Sequence, residues 1–197
     1  MNLWMKGEEG REIFSALSPM TEGLSRIKNM PYSIKDQPTL TFVARQKGEA
    51  WNRPFVVVYE PSTVKEPSCI ASVDYPQVKS EQQGSHVGIR VALTNGNVDW
   101  ILSSDENTHH CKLEKLQVRA SYALCRQSEK GETLQAFLGN GTQLEADGVS
   151  IRTDASADVL LLKQDGKWMY TATAPCRVVV DKKKYTLSAT NVLTCLK

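Results

Sequence analysis

Few residues in this chain have the types and spacing that chemistry requires. Three histidines occur, His86, His109 and His110, and five cysteines, Cys69, Cys111, Cys125, Cys176 and Cys195. The run His109-His110-Cys111 gathers side chains that are common zinc ligands. On a strand, His109 and Cys111 would point one way and His110 the other, so at most two ligands converge from it. Ordinary exposed loop or strand residues are the simpler account, and no metal is expected. The acid pairs Glu8-Glu9 and Asp105-Glu106 fall at turn positions, where carboxylates serve capping and solubility better than acid–base work. Lys182-Lys183-Lys184 reads as a solvated hairpin tip. A GxSxG nucleophile motif, a phosphate-binding glycine loop, HExxH and an EF-hand loop are all absent. No catalytic residue and no cofactor are assigned.

The cysteines carry no framework. An odd number cannot pair fully within one chain, and the spacings fit neither CxxC nor a dense disulfide scaffold. Buried thiols acting as small apolar residues are expected.

The elements that would position these residues are strands. Asp165-Gly166 sits between Asp158-Val-Leu-Leu-Leu-Lys163 and Trp168-Met-Tyr-Thr-Ala-Thr173, a two-residue hairpin signal because both turn positions need positive φ. Asn95-Gly96 stands between two further strand-like runs, and Asn140-Gly141 is expected to turn the chain after Leu134-Gln-Ala-Phe-Leu138. Looser turns are expected at Glu129-Lys-Gly131 and Asp181-Lys-Lys-Lys184. Ile89, Val91 and Leu93 share one face, as do Val98, Trp100 and Leu102. Phe55-Val-Val-Val-Tyr59 and Val159-Leu-Leu-Leu162 are apolar on successive residues, so both faces of each should be covered. Helix is confined to a turn or two within residues 18–28, where Pro19, Gly23 and Pro31 keep it short.

Composition bounds the rest. With 24 Lys+Arg against 22 Asp+Glu the net charge is +2, so no electrostatic footprint for nucleic acid is visible. A hydrophobic content of 41% belongs to a globular chain, not a disordered one. No apolar run approaches the ~20 residues a membrane helix needs. The first ten residues hold no apolar signal core. The fold expected is all-β, an antiparallel sandwich of stacked sheets, over residues 1–197 as one folded unit with a seam or long loop near 76–84.

Trp51 is the aromatic least explained by packing. It lies in Arg45-Gln-Lys-Gly-Glu-Ala-Trp-Asn-Arg-Pro54, between two apolar strands, among charges that are costly to bury without partners. Gly48 permits a left-handed backbone there, and Pro54 pushes Arg53 towards an extended one. Arg45, Glu49, Trp51 and Arg53 are therefore the candidate residues for a partner or a sugar, whose rings offer apolar faces to an aromatic.

This stretch also carries a resemblance. Residues 39–61, from Thr39-Leu-Thr-Phe-Val through Trp51 to Tyr59-Glu-Pro61, resemble the β-sheet portion of heparinase II/III-like polysaccharide lyases of gut-bacterial type. The likeness extends to Leu3-Trp-Met5, Arg11-Glu-Ile-Phe-Ser15, Val98-Asp-Trp-Ile-Leu-Ser-Ser104, Leu134 to Thr142, the Asp165-Gly-Lys-Trp168 hairpin and Ala172-Thr-Ala-Pro175. It implies a modular enzyme in which an N-terminal α/α toroid carries the catalysis. The reaction implied is β-elimination at a uronic acid, which needs a carboxylate neutraliser, a base and an acid. No position here matches the family's catalytic histidine.

The resemblance thus implies a non-catalytic C-terminal β-sandwich, excised from a larger lyase, docked on the toroid and lining part of the cleft for an acidic polysaccharide. The loop with Arg45, Glu49, Trp51 and Arg53 would face the neighbouring layer or the toroid. A periplasmic or secreted parent is implied as well. The rival expectations are an autonomous carbohydrate-binding module and an Ig-like interaction domain.

Overall fold

The structure, a computed structural model, describes residues 2–18, 39–48, 53–82 and 85–196. Among these no helix occurs. The strands are β1 (Asn2–Met5), β2 (Arg11–Ser18), β3 (Thr39–Gln46), β4 (Val57–Glu60), β5 (Ile70–Asp74), β6 (Lys79–Ser80), β7 (His86–Leu93) and β8 (Val98–Ser104). They continue as β9 (Cys111–Leu113), β10 (Leu116–Gln127), β11 (Thr133–Ala146), β12 (Val149–Gln164), β13 (Lys167–Ala172), β14 (Cys176–Val180), β15 (Lys183–Leu187) and β16 (Thr190–Cys195). The chain divides into two compact units, Gly7–Ala50 and Met1–Lys6 with Trp51–Lys197. The helix expected in 18–28 lies outside the described residues, except that Ser18 ends β2.

The larger unit is built on β10, β11 and β12, whose two halves pair with different neighbours within one twelve-stranded sheet. Tyr122–Gln127 pairs with β8, and β12 from Val159 onward pairs with β13, which pairs with β16. The other halves pair with β9 at Leu116–Val118 and with β14 at Val149–Thr153. Register shifts mark the crossing from one half to the other, at Arg119/Ala120 and between Leu138, Gly141 and Gln143. On β10 the buried residues step by two through Leu116, Val118 and Ala120, then resume at Ala123 and Cys125. The slip in parity reflects the bulge, and it keeps apolar side chains on the inner face of both halves. One core fills the sandwich, with Leu102, Leu113, Leu138, Leu144, Ile151 and Leu161 fully buried. Each such side chain contributes roughly 1.5–3 kcal/mol relative to exposure.

Two expected turns differ from what is seen. Asn140-Gly141 is not a hairpin tip but a bulge inside the continuous strand β11. Asn140 takes the positive φ of 47° that suits a turn, yet the chain runs on, because Gly141 lets β10 come close. A Cβ there would stand 2.4 Å from Ala120 Cβ and 2.6 Å from Arg119 O. The bulge carbonyl of Gly141 accepts the Thr153 hydroxyl at 3.1 Å. Asp181-Lys182, by contrast, is tighter than expected, with φ of 51° and 67° at its two residues, the pattern of a two-residue hairpin turn. Asp165-Gly166 behaves as read, with φ of 49° and 75°.

Phe55 to Tyr59 is not a doubly covered strand. Only Val57–Glu60 is extended, paired with β1 alone, and Phe55 and Tyr59 are exposed. What ties this small sheet to the rest is a buried carboxylate. Glu60 Oε1 accepts the Cys69 and Ile70 amides at 2.6 and 3.0 Å, and Oε2 accepts Ser68 Oγ at 2.5 Å and Asn2 Nδ2 at 3.1 Å. These donors, led by Ser68, hold the Glu60 pKa down at about 2. The segment around residue 76 holds more than a loop, since Lys79–Ser80 forms β6 against β9.

The smaller unit is the β2–β3 hairpin, in full antiparallel register from Arg11↔Gln46 to Ser18↔Thr39. Ile13, Leu17, Leu40 and Phe42 share one face, and Phe14 and Val43 the other; all are exposed, Leu17 at 70%.

Two outcomes follow from this packing. Gly141→Ala should cost about 1–3 kcal/mol in urea unfolding, the range for overpacking, whereas Gly7→Ala, with no atom within 4 Å of the new Cβ, should cost far less. Glu60 has a folded pKa of about 2 against an ordinary 4.5, so its stabilisation is full above the ordinary value and lost as pH falls through about 2. Glu60→Gln should flatten the decline in stability across that acid range, as followed by circular dichroism.

Candidate functional site

Among the described residues, a group of chemically capable side chains gathers where β7 begins and β8 ends. The register pairs His86 with Ser104, so the next residue, Asp105, emerges beside the histidine. The chain then loops through Asn107 and returns His109 to the same place before β9 starts. Ligand atoms of His86, Asp105 and His109 lie within 4.8 Å of one another. The His86 and His109 rings meet edge to face, with centroids 5.8 Å apart.

Hydrogen bonds fix two of the three. His86 Nδ1 lies 3.1 Å from Ser104 Oγ and 3.6 Å from Cys111 Sγ, and its Nε2 lies 3.4 Å from Gln82 O. Asp105 Oδ2 accepts the Ser85 amide at 2.9 Å, while the Asp105 amide donates to Ser85 O at 3.1 Å. One carboxylate oxygen is thereby engaged, and further lone pairs remain available. His109 Nδ1 is buried and has no hydrogen-bond partner. A buried polar atom left so typically costs about 1–3 kcal/mol. The loop is pinned from its other side as well: Asn107 Nδ2 donates to Asn140 Oδ1 at 3.2 Å and to Ser156 Oγ at 2.9 Å. The β11 bulge therefore presents Asn140 to this loop.

Sequence reasoning looked to residues 109–111 as a run and found too few ligands. Structure recruits His109 alone from that run into the triad, while His110 Nδ1 turns to Glu81 at 3.7 Å. Cys111 is buried and touches His86 and Ser80. The missed partners are His86 and Asp105, which stand at strand ends, and only the β7–β8 register could have joined them.

The residues around Trp51 are placed differently. Arg45 lies on β3, directly across from Glu12, and its Nε bonds the Glu12 carboxylate at 2.5 Å with the guanidinium 5.0 Å from the Phe14 ring centre. Arg53 is exposed. Glu49 and Trp51 lie outside the described residues.

Other polar groups are structural. Asp99, 7% exposed, holds Arg126 through two hydrogen bonds of 2.7 Å, and that pairing raises the arginine pKa. Trp100 Nε1 donates to Gln127 and Trp168 Nε1 to Asp181.

The segment holding the His86 triad lies within a recognisable stretch. Residues 76–163 match the endo-acting ulvan lyase C-terminal domain. Over 160 residues, 79% of its length, the chain is 26% identical to an endo-acting ulvan lyase of Formosa agariphila. It spans only 18% of that lyase. The chain is thus similar to the C-terminal domain of a polysaccharide lyase. The ulvan-lyase-like stretch runs from just before β6 through most of β12, and so includes the strands that carry His86, Asp105 and His109.

All five cysteines are free, but they are not uniformly buried as expected. Cys111, Cys125 and Cys176 are buried, Cys195 is half-buried and Cys69 is exposed. Burial pushes the Cys125 thiol up to about 11. The neighbouring Glu60 carboxylate raises the Cys69 thiol. Native labelling with a bulky thiol reagent should therefore reach Cys69 and Cys195 alone, and all five in denaturant, as read by mass spectrometry. Glu60→Gln should speed the reaction of Cys69, since the thiolate is the reacting form.

Proposed function

We propose that the chain is the non-catalytic C-terminal β-sandwich of a heparinase II/III-like polysaccharide lyase, docked against an N-terminal α/α toroid in the same parent. The parent reaction is β-elimination on a uronic-acid-containing glycan. Its similarity to the lyase C-terminal domain supports the general reading. The finer reading rests on one observation, the β2–β3 hairpin with apolar side chains exposed on both faces. A two-stranded ribbon is marginal in water on its own, and exposed apolar surface of this kind marks an interaction site. Arg45, Glu49, Trp51 and Arg53 are assigned to the docking edge on the sequence alone. A periplasmic or secreted parent is part of the same proposal. The similar lyase is named for ulvan, so ulvan is the first substrate to test.

The test compares the parent enzyme with this chain. Phe42→Asp and Leu40→Asp should each reduce uronide release by the parent several-fold, followed as ultraviolet absorbance of the unsaturated product. In the 197-residue chain the same changes should cost less than about 0.5 kcal/mol, as exposed substitutions do. This chain alone should release no unsaturated uronide from ulvan or heparin. Parent activity untouched by both substitutions would overturn the docking role. Tight retention of the isolated chain by immobilised polysaccharide would favour an autonomous carbohydrate-binding module instead.

A further inference from the structure

We propose that the outer face of the sheet over β6, β9, β10, β11, β12, β14 and β15 binds an anionic polysaccharide chain, held by Lys112, Arg119, Arg152 and Arg177. The class of ligand rests on the lyase reading, but the surface uses none of the β2–β3 hairpin residues on which the docking role rests.

Register builds the surface. Arg119 stands opposite Gln143, Gln143 opposite Arg152, Arg152 opposite Arg177 and Arg177 opposite Thr186, one row across five strands. Two residues further along each strand, a second row runs from Lys79 and Lys112 through Gln117, Glu145 and Ser150 to Lys184. The alternate residues of the same strands, Cys111, Val118, Leu144, Ile151 and Val178 among them, are buried in the core. Both rows therefore face outward. At about 4.8 Å between strands, the surface is roughly 29 Å wide.

The charge on it is one-sided. Outward positions of these strands carry six cations, Lys79, Lys112, Arg119, Arg152, Arg177 and Lys184, against two acids, Glu145 and Asp154. The whole chain has a net charge of only +2, so the positive charge is concentrated here. Arg152 pairs with Glu145 and Arg177 with Asp154, each at 2.5 Å. Arg119 donates to Thr108 O at 3.1 Å and stands 4.0 Å from Glu81 at the margin. Lys79, Lys112 and Lys184 form no ion pair among the described residues. A second observation is the pairing itself. Lys79 faces Lys112 and Arg152 faces Arg177, and like charges directly opposite destabilise an antiparallel pair. A polyanion laid across both pairs turns that repulsion into attraction.

The remaining groups favour a sugar chain. Gln117, Gln143, Ser150 and Thr186 stand among the cations and offer amides and hydroxyls to sugar hydroxyls. The planar fork of arginine matches a carboxylate. No aromatic ring occupies an outward position on these strands, whereas single-stranded nucleic acid is held largely by stacking on such rings. An extended glycan lying along the first row meets Arg119, Arg152 and Arg177 in turn.

The experiment passes the 197-residue chain over immobilised ulvan, with neutral dextran as the comparison polymer. Ulvan should retain the chain at low ionic strength and release it by about 1 M salt, where the screening length shrinks to about 3 Å. Dextran should retain nothing. Such salt-labile retention differs from the tight binding of an autonomous module. Lys112→Gln, Arg119→Gln and Arg152→Gln combined should weaken binding at least about tenfold and flatten its salt dependence, since fewer counterions are released. Lys65→Gln, Lys130→Gln and Lys167→Gln, which remove the same charge from other exposed positions, should weaken it less than about twofold. Nuclear magnetic resonance of the unaltered chain gives a reading free of any folding defect: short ulvan oligosaccharides should shift the signals of Arg119, Arg152 and Arg177. No retention at low salt, retention that survives 1 M salt, equal losses in the two triple variants, or tighter binding to oligothymidylate than to ulvan would each overturn the surface. Any of these results would leave the effect of Phe42→Asp on the parent standing, and loss of that effect would leave the retention standing.

Discussion

The close approach of β10 and β11 at Gly141 is the constraint on which the larger unit depends. Three long strands can hold different neighbours at their two ends only if they bend, and a β-bulge, where one backbone yields an extra residue, bends an antiparallel pair. Gly141 supplies that place because the space a side chain would occupy is filled by Ala120 and by the Arg119 carbonyl. Thr153 then satisfies the carbonyl that the distorted ladder leaves over. On either side of the bend the alternation of apolar and polar residues restarts, and one core forms between the halves. The same distortion turns Asn140 outward, where it holds Asn107 and with it the loop bearing Asp105 and His109.

Much of this architecture was legible in the residues. All-β character followed from turn dipeptides between β-branched runs, and Asp165-Gly166 joins β12 to β13 as its chemistry requires. Asn140-Gly141 shows where local reading stops. The dipeptide favours positive φ, and positive φ serves a bulge as readily as a hairpin. Only the approach of β10 decides between them, and that is a contact between residues some twenty positions apart. Phe55 to Tyr59 misled for a related reason: successive apolar residues signal two covered faces, yet only Val57–Glu60 is extended and it pairs with β1 alone.

The histidine cluster was hidden by register. Adjacent residues 109–111 draw the eye, yet strand ends and loops bring distant residues closer than neighbours on one strand, whose side chains diverge. His86 and Asp105 meet because β7 and β8 pair with His86 opposite Ser104. A shift of one residue in that pairing would send His86 to the other face of the sheet. Glu60 is a comparable case. Its carboxylate gathers donors from β1 and from the segment leading into β5, and no spacing rule announces a residue whose partners are two amides and two side chains from different parts of the chain.

One feature of the sheet boundary bears on edge-to-edge contact between copies of this chain. β15 pairs with β14 and with no other strand among the described residues, which makes it an edge of the sheet there. Lys182, Lys183 and Lys184 stand exposed at the start of that border. Charged lysines on an edge strand are one of the devices that discourage edge-to-edge pairing. Lysines so placed disfavour growth by strand addition along that edge.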